Sequence, residues 1–95
     1  SLWEHQVRIL PMTAFYVTLG ANALADRMPE RAVLYFGEAV RLSPDAARLR
    51  HLLALSLYQT GDVRGARAAN LTAIALNPAL ADAWELQASL ETDPE

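Results

Sequence analysis

Shifted against itself by 34 residues, the sequence superposes its own apolar and small residues. Leu19 falls on Leu53, Ala32 on Ala66, Ala39 on Ala73, Leu42 on Leu76, Pro44 on Pro78 and Ala47 on Ala81. Gly20 falls on Ala54 and then on Ala88, three small residues in one register. Tyr16 falls on Arg50 and then on Trp84. Such a period constrains the fold more than any local motif. Each unit is one supersecondary block that buries its apolar face only by stacking on its neighbours. The register divides the chain into an N-terminal segment 1–12, full units 13–46 and 47–80, and a partial unit 81–95.

Within a unit the pattern is helical, without strand-like alternation. The run from Ala46 to Gln59 has no Gly or Pro and consists largely of good helix formers. Ser43-Pro44 is expected to start it, with Ser43 as cap and Pro44 in the first turn. Asn77-Pro78 repeats the device one period later. Thr60-Gly61-Asp62 breaks the helix: Gly61 suits the left-handed residue that ends one helix, and Asp62 suits the cap of the next. In the first unit the break is Asp26-Arg27-Met28-Pro29, with Pro29 opening the second helix. Two helices and two turns per unit predict an all-α solenoid of about five helices, preceded by a short N-terminal helix that Pro11 ends.

These residues resemble the tetratricopeptide repeat. The first unit supplies Tyr16, Leu19, Gly20, Ala32, Phe36, Ala39 and Pro44. The second supplies Leu53, Ala54, Leu57, Ala66, Ala73 and Pro78, and the third begins with Trp84 and Ala88. The departures are Ala23, where a large residue is usual, and Arg50 and Asn70, each in place of an aromatic. The resemblance implies a right-handed solenoid of helical hairpins whose first helices line a concave groove for a protein or peptide. Carried over by register, that groove holds Ala14, Val17, Ala21 and Leu24, then Arg48, His51, Leu55 and Tyr58, then Asp82, Glu85 and Ser89. The Lys and Asn with which some members grip a chaperone's C-terminal carboxylate are absent, which favours an apolar or amphipathic ligand.

The last helix reads as a cap. Gln87 and Glu91 are polar where Leu53 and Leu57 stand one period earlier, and a terminal repeat needs a polar outer face. Leu86 and Leu90 lie off the register of Trp84 and Ala88 and are expected to form a small exposed patch for self-association.

Catalytic chemistry finds little support. The chain has no Cys, and its two His, His5 and His51, lack metal-type spacing. Its four Gly are isolated, so no phosphate-binding loop is written. No cofactor is expected. With 8 basic and 11 acidic residues, net charge -3, a bulk-charge binder of nucleic acid is disfavoured. Membrane insertion is not expected, because no apolar run approaches the roughly 20 residues that spanning requires. Every basic residue is Arg, which together with abundant Ala suggests a GC-rich bacterial source. Ser1 in place of an initiator Met suggests a processed chain or part of a longer one. Cysteine-free composition suits the cytoplasm and the periplasm alike.

The expected function is therefore a protein-binding scaffold, within a bacterial assembly or secretion-related protein. The alternatives are a homo-oligomerising structural module and a regulatory domain attached to an enzyme such as a glycosyltransferase.

Overall fold

The computed structural model describes residues 2–93, with side chains from residue 12 onward. Among these, five helices follow in order: α1 (Leu2–Ala25), α2 (Pro29–Leu42), α3 (Ala47–Thr60), α4 (Val63–Leu76) and α5 (Ala81–Thr92). Each packs on the next in sequence, and α5 also touches α3. This is a helical-hairpin repeat solenoid without strands among the described residues.

The expected stop at Pro11 does not occur, and one helix runs from Leu2 to Ala25. Proline removes a single backbone donor, so it weakens a helix interior without necessarily ending it. Contacts of Leu2, Trp3, Val7, Ile9 and Leu10 with the first unit lie outside the described side chains.

The hairpin turns follow the sequence closely. Pro29 opens α2. Gly61 closes α3 in the left-handed conformation, at φ 94°. The Asp62 side chain caps α4 by accepting a hydrogen bond from the Gly65 N–H at 2.9 Å. Arg27 lies one period before Gly61 and adopts the same left-handed backbone, with φ 58°.

The turns between hairpins differ from expectation. Ser43 ends α2, and Pro44 sits in the turn before α3. The Ala46 N–H bonds the Ser43 carbonyl at 3.2 Å, and the Leu80 N–H bonds the Asn77 carbonyl at 3.1 Å. Each proline thus occupies the second position of a β-turn, where its fixed φ is well suited. The Ser43 hydroxyl is hydrogen-bonded to that of Thr13 at 3.0 Å instead of capping α3.

The core repeats along the solenoid. Ala23, Ala32 and Phe36 form one buried cluster, flanked by Val17, Leu24, Leu52 and Leu53. Ala39, Val40 and Leu49 form the next, and Ala54, Ala66, Leu86 and Leu90 the third. Gly20 sets the spacing of α1 and α2: a Cβ there would lie 2.7 Å from Cε1 of Phe36.

Leu86 and Leu90 are therefore core, not an exposed patch. Leu90 is wholly buried and Leu86 nearly so. They take the places of Leu52 and Ser56 one period on, the face turned to the preceding hairpin. The face of α5 left open carries Trp84, 52% exposed, together with Ala88 and Glu91.

Candidate functional site

The structure brings together part of the expected groove. Between α3 and α5 an open depression of about 360 Å³ is lined by His51, Leu55, Asp82, Glu85, Leu86 and Ser89. The structure thus brings together five residues read from the register, and adds Leu86. Asp82, Glu85 and Ser89 are exposed, while Leu55 is half-buried against the Leu86 and Leu90 cluster. Arg48 is exposed at the start of α3. Among the described residues it forms no ion pair with Asp45 or Asp82.

The first unit contributes differently. Val17 and Leu24 are half-buried and pack on the Phe36 cluster, so part of their apolar surface belongs to the core. Ala14 and Ala21 are exposed. None of the four borders the depression between α3 and α5.

Behind the depression lies a buried polar chain. Asn70 is wholly buried, Gln87 is 6% exposed and His51 8%. Asn70 Nδ2 donates to the Ala83 carbonyl at 2.7 Å and to Gln87 Oε1 at 3.1 Å. Its Oδ1 therefore faces His51 Nδ1, 3.2 Å away, which must carry the proton. Gln87 Nε2 in turn donates to Glu91 Oε1 at 3.4 Å. The bonds run in one direction, from the imidazole to a carboxylate, so each polarises the next. With Nδ1 engaged by Asn70, Nε2 is the ring's remaining hydrogen-bonding position.

The chain also revises the reading of Gln87. Its polarity serves Asn70 on α4, and the residue is buried, not turned to solvent as a cap surface. The signal was present in the sequence as two departures, a polar residue at an aromatic position and another at a Leu position. Taken together they describe one contact.

The end of α5 is tied back twice. Arg67 Nη2 donates to the Leu90 carbonyl at 2.8 Å, satisfying a backbone acceptor of the last helical turn. The Tyr58 hydroxyl donates to the Asp93 carboxylate. That hydrogen bond, with smaller contributions from burial and the carboxylate charge, holds the Tyr58 phenol above its usual pKa. Tyr58 thus serves the α3–α5 junction beside the depression.

Among the described residues no three His, Asp or Glu side chains converge to hold a metal ion, and no helix is long and apolar enough to cross a membrane.

The tetratricopeptide repeat family model matches residues 23–90. With the hairpin solenoid, this places the chain in the tetratricopeptide repeat family. Repeats of this family generally serve as non-catalytic protein–protein interaction modules that bind proteins or peptides. A comparison with curated proteins finds no significant match.

Proposed function

We propose that this chain is an interaction scaffold that holds an apolar or amphipathic segment of a partner protein along the groove of α1, α3 and α5. The observation that carries the reading is the depression between α3 and α5, where Leu55 and Leu86 offer apolar surface inside a polar rim. Val17, Ala21 and Leu24 extend that strip toward α1, and Arg48 flanks it. The repeat units are 13–46 and 47–80, followed by the partial unit 81–95. The protein belongs to a bacterial assembly or secretion-related system, and the mechanism is binding on a preformed surface without chemistry.

Selection of peptides from a random displayed library tests this reading, with Leu55→Glu as the comparison protein. Leu55 is half-buried in the depression, and circular dichroism verifies that the variant keeps its helices. The expected result is peptides of amphipathic pattern that lose at least about tenfold in affinity on Leu55→Glu, equivalent to roughly 1.4 kcal/mol. Peptides that bind both proteins equally would remove the groove from the proposal.

A further inference from the structure

Resting on the groove reading above, we propose that the depression between α3 and α5 receives a cationic side chain of the partner segment, with an apolar residue beside it. Guanidinium fits best.

The charges point this way first. Asp82 and Glu85 border the depression from α5, and among the described residues neither has an ion-pair or hydrogen-bond partner. Arg48, the nearest cation by register, is not among the lining residues. The rim is therefore uncompensated negative charge over an apolar floor of Leu55 and Leu86.

His51 is the second, independent observation. Its side chain is more than nine-tenths buried and borders the same depression. Its Nδ1 is committed to Asn70, while Nε2 has no protein partner among the described residues. Yet no buried side-chain nitrogen or oxygen there is left without a hydrogen bond. Nε2 must therefore retain access to solvent, and the depression is the opening that the ring borders. A ring nitrogen without a protein partner thus stands beside two free carboxylates.

The two carboxylates accept hydrogen bonds, and no arginine lines the depression. An arginine meets the set well. Its methylene stem covers the leucines while its planar fork donates in several directions at once. An acidic segment would meet like charge.

The test uses three short synthetic peptides of one amphipathic leucine–alanine pattern, with arginine, glutamine or glutamate at the central polar position. Binding is followed by amide chemical shifts of the labelled protein, and Kd is taken from the titration. The arginine peptide is expected to move the signals of His51, Leu55, Asp82, Glu85 and Ser89 and to bind tightest. The Asp82→Asn, Glu85→Gln double variant should weaken it roughly five- to tenfold and leave the glutamine peptide unchanged. Raised salt should narrow the gap between the two. Equal binding of arginine and glutamine peptides in the depression would overturn this inference and leave the groove reading standing. An arginine advantage that survives the double variant would also overturn it. If no peptide moves these signals, both readings fall.

Discussion

Nδ1 of His51 on α3 donates to Oδ1 of Asn70 on α4, 3.2 Å away, at a place where the repeat pattern calls for an aromatic ring. The site is neither hollow nor overfilled. Asn70 uses its two amide protons on α5, at the Ala83 carbonyl and Gln87. One residue thus joins three helices by hydrogen bonds. In low-dielectric surroundings such a set stabilises only when complete.

Removing its centre should be costly. Asn70→Leu leaves the His51 N–H and the Gln87 oxygen buried without partners, and is expected to destabilise the fold by about 2–4 kcal/mol. Adding Gln87→Leu should recover part of that loss, because two apolar groups can replace a hydrogen-bonded pair at small cost. Urea unfolding of both variants measures this. Equal losses for the single and double variants would mean that Gln87 contributes nothing through Asn70.

Gly20 and Phe36 form a second coupled pair. A methyl group at Gly20 would stand 2.7 to 2.9 Å from three ring atoms of Phe36. Gly20→Ala should destabilise by about 1–3 kcal/mol through overpacking. One period later the register pairs Ala54 with the smaller Asn70. Phe36→Leu should therefore be less harmful in the Gly20→Ala background than alone. Thermal melts of the four proteins in that cycle decide the point.

Gly37 gives the opposite sign. It lies inside α2, and a Cβ there would meet nothing within 4 Å. Gly37→Ala should stabilise the chain by roughly 0.5–1 kcal/mol, from helix propensity alone. A lower urea midpoint would show that this part of α2 is packed more tightly than described.

The two left-handed turn residues make a matched comparison. Arg27 and Gly61 hold the same repeat position with positive φ. Gly61→Ala should cost roughly 1 kcal/mol, while Arg27→Gly should gain or hold stability, since only glycine enters that region freely. Chemical denaturation should lower the midpoint for Gly61→Ala and raise it or leave it unchanged for Arg27→Gly.

Tyr58 sets an alkaline limit. Its hydrogen bond to Asp93 holds the folded-state pKa above the usual value of 10.0. The stability linked to that shift is complete below pH 10 and is lost as pH rises through the folded value. Tyr58→Phe should therefore flatten the decline of the urea midpoint above that pH. Parallel declines for the two proteins would assign the alkaline loss to other groups.

What the sequence disclosed, it disclosed through spacing. The period, the small residues at Gly20 and Ala54, the turn at Gly61-Asp62 and the start at Pro29 are local requirements, readable one residue at a time. The errors came where the answer depended on the direction a side chain takes from its helix. Leu86 and Leu90 looked superfluous because they missed the places of Trp84 and Ala88. In the fold they occupy the inward face, and Trp84 is the residue left half in solvent. There its indole N–H reaches the Pro78 carbonyl at 2.7 Å. One period earlier Arg50 Nε makes the same contact with Pro44, at 3.3 Å. An arginine and a tryptophan are unlike in every property that a profile weighs, yet both supply an N–H to the same turn. Pro44 and Pro78 themselves were misplaced by three residues, because proline serves a helix's first turn and the second place of a β-turn equally well.

The polar chain from His51 to Glu91 has one more effect, on sliding. A seam of leucines and alanines tolerates a helix that creeps along its neighbour, because one aliphatic contact replaces another at little loss. Asn70 has no such substitute: its donors meet Ala83 and Gln87 at a single setting of α5. That setting also fixes how far Asp82 and Glu85 stand from His51 and Leu55. A segment bound there as proposed would meet walls already at their working separation, and its affinity would not be reduced by having to arrange them.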